Sequence, residues 1–277
     1  MDVILQALIM GIVQGLTEFL PVSSSGHLIL VPYLFGWDDP FITSLAFSVM
    51  LHLGTLVALL VYFRSDWLRL IPAGLAALRD RSFAGDPDRK LAWLLVAATV
   101  PAAVVGFLFS DVFETGIREP ALVAGTLVLG GVILLVADTL GAETRRVEDV
   151  TVPIATGIGV AQALALIPGI SRSGISISAG RLAGLDRPSA ARFAFLMATP
   201  ITAGAIVFEA RKLLTGEAGV QVEVGALMVG LVSSLIAGFA AIHFMLRYLR
   251  TRSLRVFVWY RFALAAIVVV VLVTRAG

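Results

Sequence analysis

The amino-acid sequence predicts an all-α integral membrane protein that is an inverted-topology repeat with six transmembrane helices and two re-entrant helical hairpins. Three observations predict this fold class. The 277 residues are 58% hydrophobic and 14% charged, with a mean hydropathy of +0.96, whereas a soluble domain is about half apolar and about a quarter charged. Several apolar segments are long enough to span a bilayer. One broken apolar segment occurs twice.

The repeated segment covers residues 14–27 and 162–175, at an offset of 148 residues. Both copies contain an apolar helix that is interrupted by a proline and then by serines and a glycine. The identical pairs are Gln14 and Gln162, Leu16 and Leu164, Ser23 and Ser171, Ser25 and Ser173, and Gly26 and Gly174. Two broken helices in so apolar a chain indicate two re-entrant hairpins that meet inside the bilayer.

The first hairpin is predicted from residues 2–19 and from a short helix that follows Pro21. Serine is a good N-cap residue, so the second helix should begin at the serines and end near Phe35. About 13 residues at 1.5 Å each give roughly 20 Å, which is less than the roughly 30 Å of a hydrocarbon core. This helix therefore enters the membrane and returns to the same side.

Each half of the chain then contains three segments that can cross the membrane. In the first half they are separated by an Arg-rich loop (64–90) and an acidic loop (111–120). The predicted elements are 43–63, 91–110 and 121–139, and in the second half 152–167, 171–182, 190–209, 223–246 and 256–274. Because three crossings are an odd number, the second half enters from the opposite side. We expect one membrane domain, with repeat one at about 1–140 and repeat two at about 150–277.

The positive charges predict the orientation, because cytoplasmic loops are enriched in Lys and Arg. One side holds four of them (Arg118, Arg211, Lys212 and Arg275). The other holds Arg64, Arg69, Arg79, Arg81, Arg89, Lys90, Arg145, Arg146, Arg181, Arg187, Arg192, Arg247, Arg250, Arg252 and Arg255. The second group is expected in the cytoplasm, so both termini and the entry of the first hairpin lie outside. A net charge of +2 in such loops fits a membrane surface better than a nucleic acid. The absence of Cys excludes disulfides and thiolate chemistry.

Glu18, His27 and Arg172 are the leading candidates for function, since ionisable groups at membrane depth are costly and usually functional. The hairpin ends also bring hydroxyls and two helix N-termini together. Helix N-termini, glycines and a guanidinium suit a phosphate group. The candidate substrate-binding residues are Ser23, Ser25, Gly26, Ser171, Arg172, Ser173, Gly174 and Ser176.

The same residues allow covalent chemistry. One of Ser23, Ser24 and Ser25 can attack phosphorus if a base is near. His27 follows Ser24 by three residues, one helical turn, and can take its proton or protonate a leaving oxygen. Glu18 can orient His27. With Gln14, one turn earlier, Glu18 can instead hold Mg²⁺ or Ca²⁺, because these cations prefer oxygen ligands.

Each candidate also has a structural interpretation. Glu18 can reach the membrane interface, His27 can bond to the first turn of its helix, and Arg172 can tie the hairpins together. The serines can act only as caps. His52 and His243 are interpreted as structural groups in apolar segments. Gln162, Thr199, Thr202, Ser233 and Ser234 are interpreted as packing residues.

At these residues the chain resembles the undecaprenyl-diphosphate phosphatases, integral membrane phosphatases associated with bacitracin resistance. The resemblance covers nearly the whole chain. It rests on Gln14-x-x-x-Glu18, on the Pro21–His27 segment and on the Pro168–Gly174 segment. It implies hydrolysis of the C55 lipid diphosphate to the monophosphate on the outer side of the bacterial inner membrane, which recycles the carrier lipid for cell-wall synthesis.

The resemblance further implies a divalent cation and a site built from Glu18, Ser23 to Ser25, His27 and Arg172. The family has Glu or Gln at position 14, so Gln14 leaves Glu18 as the carboxylate of this motif. As a mechanism, we expect Arg172 and the helix N-termini to bind the diphosphate while Ser24 attacks, with His27 as base and then as acid. Metal-activated water and His27 itself are the alternative nucleophiles.

Two other classes of membrane protein share parts of this pattern. The type-2 phosphatidic acid phosphatases share a Ser-Gly-His element, but their Lys-x6-Arg-Pro element is missing. A transporter or flippase of a polyprenyl phosphate would have the same inverted repeat. A carrier, however, has no need of a Glu-Ser-His set in one repeat alone. The expected partners are therefore the polyprenyl diphosphate and membrane lipid, with no nucleic acid. The sequence is compatible with a homodimer.

Overall fold

A computed structural model describes residues 1–83, 85–109, 118–215, 219 and 221–276. These residues form eleven α-helices and two short 3-10 turns (Val147–Asp149 and Leu164–Leu166). The helices are α1 (Val3–Phe19), α2 (Ser24–Phe35), α3 (Leu45–Tyr62), α4 (Arg64–Asp80), α5 (Pro87–Leu108), α6 (Pro120–Leu140), α7 (Val152–Ala163), α8 (Arg172–Leu182), α9 (Arg187–Thr215), α10 (Val224–Tyr248) and α11 (Arg255–Ala276).

Six of these helices are long and apolar enough to cross a membrane, namely α3, α5, α6, α9, α10 and α11. This confirms the predicted all-α membrane fold with six spanning segments. Helices α1, α2, α7 and α8 are shorter and occupy the predicted hairpin positions. Most of the predicted acidic loop, residues 111–117, lies outside the described residues.

The first helix of each hairpin packs against a spanning helix from the other half of the chain. Helix α1 of the first half packs along α10 of the second half, and α7 of the second half packs along α5 of the first. Helix α6 packs against its counterpart α11, and α3 packs against its counterpart α9. Both hairpin ends are therefore enclosed by spanning helices from both repeats.

The backbone break in the two hairpins is the same. Ser23 and Ser171 are the N-cap residues of α2 and α8, with φ angles of 74° and 77°. Their hydroxyls accept hydrogen bonds from the amides of Gly26 at 3.3 Å and Gly174 at 3.1 Å. A positive φ is uncommon for a residue with a side chain. The sequence repeat therefore reproduces an unusual local conformation as well as residue types.

The Arg-rich stretch 64–90 was predicted as a loop, and this is wrong for most of its length. Residues Arg64–Asp80 form helix α4. Its apolar residues recur at helical spacing, with Leu70 and Ala77 buried against the bundle and Leu68 and Leu75 exposed. Frequent charges lower the mean hydropathy of this segment, although the helical period is present.

The Arg-rich helix ends lie together at one end of the bundle. The Arg192 guanidinium contacts the Asp66 carboxylate at 2.6 Å, which joins α9 to α4. Arg187 contacts Asp138 at 2.6 Å, which joins α9 to α6. The second oxygen of Asp138 accepts from the amide of Leu254, just before α11. These contacts place the predicted cytoplasmic segments on one common side.

Candidate active site

Serines from each hairpin bind the backbone of the other hairpin. The amide of Gly169 donates to Ser23 Oγ at 3.1 Å, and Ser173 Oγ donates to the carbonyl of Leu20 at 3.0 Å. Both serine side chains are buried. These two hydroxyls, predicted as substrate ligands, therefore fasten the hairpins to each other.

Glu18 lies in the last turn of α1 and is the centre of the junction. Ser24 Oγ donates to Glu18 Oε2 at 2.5 Å, and Gln14 Nε2 donates to the same oxygen at 3.0 Å. Arg172 of the other hairpin forms an ion pair with Glu18 Oε1. Glu18 is buried, whereas Ser24 and Arg172 are partly exposed. The structure thus brings together Gln14, Glu18, Ser24 and Arg172 as the sequence predicted.

Thr202 on α9 orients the guanidinium of Arg172. Arg172 Nη1 donates to Thr202 Oγ1 at 2.6 Å, while the threonine hydroxyl donates to the carbonyl of Ala198 at 2.6 Å. From its sequence position, Thr202 was interpreted as a packing residue. Its contact with Arg172 joins residues from different elements, so no local pattern could identify it.

His52 on α3 also belongs to this site. Its Nε2 lies 3.4 Å from Glu18 Oε2, and its Nδ1 bonds to the carbonyl of Ser48 at 2.8 Å. Because a carbonyl oxygen only accepts hydrogen bonds, Nδ1 is the donor and Nε2 faces the carboxylate. The sequence favoured a structural role for His52 in an apolar segment, and the structure places its Nε2 beside the Glu18 carboxylate. The rule that selected Glu18, an ionisable group at membrane depth, applies equally to His52.

His27 is placed differently from the prediction. Its Nδ1 donates to the carbonyl of Ser23 at 2.7 Å, and its Nε2 lies 2.7 Å from the hydroxyl of Tyr260 on α11. The contacts of the described residues link His27 to neither Ser24 nor Glu18. The ring reaches back to the carbonyl four residues earlier, which turns it away from Ser24. The expected Ser24 to His27 hydrogen bond is therefore absent from the described contacts.

The other predicted hydroxyls have structural partners or lie inside the bundle. Ser25 Oγ lies 3.3 Å from Ser23 Oγ, and the equivalent pair Ser171 and Ser173 lies at 3.2 Å. Ser176 is buried, and its hydroxyl has no hydrogen-bond partner among the described residues. Of the hairpin serines, Ser24 and Ser25 are the two that are partly exposed.

The two predicted glycines permit close packing. A Cβ on Gly26 would lie 3.2 Å from a Val123 methyl group, and a Cβ on Gly174 would lie 2.5 Å from Nη2 of Arg261. Gly174 therefore leaves space for a second arginine, Arg261, which is not among the candidates selected from the sequence. Arg261 lies at the back of the hairpin junction, beside the carbonyls of Pro21 and Ile170.

The oxygens around Glu18 fit a hard divalent cation. Gln14 Oε1 is buried and has no hydrogen-bond partner among the described residues, so it is an available acceptor. The described residues contain no cluster of three or more His, Cys, Asp or Glu side chains that could hold a metal. Protein ligands would thus be one carboxylate and one amide oxygen, with phosphate oxygens and water completing the coordination.

Taken together, the site combines a hydroxyl in contact with a carboxylate, an adjacent guanidinium and the N-termini of α2 and α8. A hydroxyl bonded to a base can act as a nucleophile. A guanidinium and free amides can bind a phosphate and stabilise charge on its oxygens. The geometry therefore suits transfer of a phosphoryl group.

The comparisons with known proteins agree with this chemistry. The family model described as bacitracin resistance protein BacA matches residues 7–267. A protein of Rubrobacter xylanophilus named undecaprenyl-diphosphatase is 49% identical over 272 residues, covering 97% of this chain and 98% of the relative. Proteins of the same name from Desulforudis audaxviator and a Nocardioides species are 45% and 43% identical, and each comparison covers at least 97% of both chains. The chain therefore belongs to the BacA family of bacitracin resistance proteins.

Proposed function

We propose that this protein hydrolyses undecaprenyl diphosphate to undecaprenyl phosphate and inorganic phosphate in the bacterial inner membrane. This reaction returns the carrier lipid to cell-wall synthesis and accounts for bacitracin resistance as a family property. The observation that carries the proposal is the contact of Ser24 Oγ with Glu18 Oε2 at 2.5 Å, beside the Arg172 guanidinium. The substrate is that of the relatives named undecaprenyl-diphosphatase.

Ser24 is the nucleophile in this proposal. Its Oγ attacks the terminal phosphorus and passes its proton to Glu18, with which it already shares a hydrogen bond. A bond forms between Ser24 and phosphorus while the anhydride bond breaks. Glu18 then gives the proton to the departing undecaprenyl phosphate. Arg172 and the free amides at the N-termini of α2 and α8 bind the phosphate oxygens during this step.

The second step regenerates the serine. Water attacks the phosphorylated Ser24 and loses a proton to Glu18, which returns that proton to Ser24 Oγ as inorganic phosphate leaves. Glu18 replaces His27 as the base because Glu18 is the group in contact with the hydroxyl. His27, with both ring nitrogens bonded to Ser23 and Tyr260, holds the cap of α2.

A divalent cation, Mg²⁺ or Ca²⁺, belongs to the proposal. Glu18 and Gln14 would hold it, and it would neutralise charge on the diphosphate when bound. The buried, unpartnered Gln14 Oε1 supports this assignment. Arg172 forms an ion pair with Glu18, and a phosphate bound by this guanidinium would compete with the carboxylate for it.

The site is proposed to open to the outside of the cell. The Arg-rich ends joined by Asp66 and Asp138 lie on one side, and the excess of Lys and Arg assigns this side to the cytoplasm. The first hairpin then enters from the outside, and both termini lie there. The second hairpin enters from the cytoplasm and brings Arg172 to the site from the cytoplasmic side.

The test is phosphate release by the purified protein from a prenyl diphosphate in detergent, with and without Mg²⁺ or Ca²⁺. The native chain is compared with Glu18→Ala, Ser24→Ala and Arg172→Ala. Removing a group that acts in the transition state lowers the rate by roughly a hundredfold or more. We expect all three variants to lose activity to that extent while they remain folded.

A carrier of polyprenyl phosphate is the competing function. It uses the same inverted repeat, but the Glu18 and Ser24 contact lies in one repeat only, whereas position 166 of the other repeat is Leu. Native protein that binds the lipid diphosphate without releasing phosphate would overturn the hydrolase proposal. Lipid transfer across liposomes would then be the next measurement.

A further inference from the structure

Arg261, in the second turn of α11, lies behind the point where the two hairpins meet. Its side chain is fully buried, with 0% relative exposure. Its Nε donates to the carbonyl of Pro21 at 2.6 Å, and Nη1 and Nη2 each donate to the carbonyl of Ile170 at 3.1 Å. One guanidinium thus binds the break of the first hairpin and the break of the second.

A buried cation inside a membrane protein is costly and needs compensation. The hydrogen-bond partners of Arg261 in the described part of the chain are backbone carbonyls, with Gly169 as a third at 3.5 Å. These carbonyls lie in the two hairpin breaks, between α1 and α2 and between the turn after α7 and α8. Arg261 therefore supplies hydrogen-bond donors to backbone carbonyls in both breaks.

The surrounding helices provide space for this guanidinium. A Cβ on Gly130 of α6 would lie 2.3 Å from Nη1, and a Cβ on Gly174 of α8 would lie 2.5 Å from Nη2. Two glycines on different helices thus allow the side chain to reach the junction. Any larger residue at either position would displace it.

We infer that Arg261 is a positioning residue that fixes the two hairpin ends relative to each other for the proposed hydrolysis. Ser24 follows Pro21 by three residues and Arg172 follows Ile170 by two, so the clamped carbonyls adjoin both reactive groups. Arg261 has no contact with Glu18, Ser24 or Arg172 among the described bonds. Its influence on the rate is therefore through the backbone. The inference rests on the proposed function.

Arg181 offers a matched control. It is also an arginine with 0% relative exposure, and it also donates to backbone carbonyls, of Leu185 at 2.7 Å and Gly141 at 3.0 Å. In addition it forms an ion pair with Glu143 at 3.2 Å. It lies at the far end of α8, away from the hairpin junction. A purely structural role for buried arginines would make Arg181→Lys and Arg261→Lys equivalent.

The kinetic test compares Arg261→Lys, Arg261→Met and Arg181→Lys in detergent, with kcat and KM determined on the folded fraction. Lysine keeps the positive charge but lacks the fork that binds two carbonyls. A misplacement of about 1 Å can lower the rate roughly a hundredfold. We expect kcat of Arg261→Lys to fall by about tenfold to a hundredfold with KM nearly unchanged. Arg181→Lys should lower thermal stability and leave kcat within about threefold.

A second measurement does not depend on activity. Hydrogen exchange of peptides that cover residues 19–24 and 167–173 should become faster in Arg261→Lys and remain native in Arg181→Lys. Gly130→Ala is the second variant, because its added Cβ would lie 2.3 Å from Nη1 and 2.8 Å from the Ile170 carbonyl oxygen, so it disturbs the hydrogen bond between them without removing the cation. It should reproduce the faster exchange and the lower kcat if Arg261→Lys fails to fold.

Equal kcat losses in Arg261→Lys and Arg181→Lys would overturn the inference, as would native exchange at both hairpin ends in Arg261→Lys and Gly130→Ala. If the native protein releases no phosphate but hydrogen exchange is faster in Arg261→Lys, the proposed hydrolysis is wrong. The role of Arg261 in holding the two hairpin ends together is then still supported. The two failures are therefore distinguishable.

Discussion

Ser24 and Arg172 occupy equivalent positions in the two hairpins, 148 residues apart, and they bind opposite oxygens of the Glu18 carboxylate. Each residue directly follows the serine that caps its helix. The repeat therefore delivers a hydroxyl and a guanidinium to one carboxylate from two directions. The proposed nucleophile, base and phosphate ligand thus lie on equivalent backbone turns that carry different side chains.

The first prediction concerns the nucleophile. Native protein that is mixed with a prenyl diphosphate and quenched in denaturant at mildly alkaline pH, where phosphoserine and phosphohistidine both survive, should carry one phosphate on Ser24, which mass spectrometry of the peptides detects. Ser24→Ala should lose both the label and phosphate release by roughly a hundredfold or more. Ser233→Ala is the control, because Ser233 Oγ donates to carbonyls of its own helix α10. Phosphate on His27 would exclude the serine mechanism, and unlabelled, active protein would indicate attack by water.

The second prediction separates a positioning role of His27 from a role as base. His27→Ala removes two hydrogen bonds, one to the Ser23 carbonyl, which still accepts from the amide of residue 27, and one to the Tyr260 hydroxyl, at a cost of about 1 to 3 kcal/mol of stability. Asn carries its amide nitrogen at the same number of bonds from the backbone as Nδ1. His27→Asn should therefore recover most of the activity and keep the native shape of the pH-rate profile. A missing limb in that profile would identify His27 as the base.

The third prediction tests His52. His52→Ala removes the imidazole whose Nε2 lies 3.4 Å from Glu18 Oε2, and we expect phosphate release to fall by roughly tenfold because the carboxylate loses its neighbour on α3. His52→Gln keeps an amide donor near the carboxylate and should be more active than His52→Ala. His243→Ala is the matched control, since His243 is exposed on α10 and lies 3.5 Å from Tyr62. Equal activity of the His52 and His243 variants would remove His52 from the site.

The fourth prediction concerns the second hairpin break. Gly169 has φ of +97°, and a Cβ there would lie 1.9 Å from Thr126 Oγ1. Gly169→Ala combines backbone strain with overpacking and should lower the free energy of unfolding by roughly 2 to 6 kcal/mol. Gly125→Ala, on α6 one residue before Thr126, has open space and should be neutral or slightly stabilising. Thermal denaturation in detergent measures both, and equal midpoints would contradict the strained conformation.

The fifth prediction concerns orientation. Because the chain contains no Cys, single cysteines report their own location without interference. A membrane-impermeant maleimide should label Asp38→Cys in intact cells, and it should label Arg146→Cys only after permeabilisation. Both positions are exposed in the structure. The reversed pattern would place the entry of the first hairpin in the cytoplasm.

Local features of the sequence were sufficient for much of the fold. Segment length and hydropathy identified the six spanning helices, because each bilayer crossing depends on its own residues. The serines before Gly26 and Gly174 identified both caps, since capping involves neighbours within a few residues. Helix α4 was missed because its charges obscure an apolar face that only the helical period reveals.

Residues that complete the site through long-range contacts could not be predicted in this way. Thr202, Tyr260 and Arg261 reach their partners from α9 and α11, far along the chain from the hairpins. Hydrophobic periodicity predicts where helices lie along the chain, but it does not predict which helices pack against each other. His52 is different, because its position in a spanning segment was a usable signal that the structural interpretation set aside.

The equal caps at Ser23 and Ser171 have a consequence for how such a protein can arise by gene duplication. The cap serine binds the amide of the glycine three residues later in both copies, so the same turn forms with different residues, Ser24 or Arg172, directly after the cap. A duplicated hairpin therefore gives two copies of the same backbone turn. Mutation can then place a hydroxyl after the cap serine of one copy and a guanidinium after that of the other, while both turns are retained.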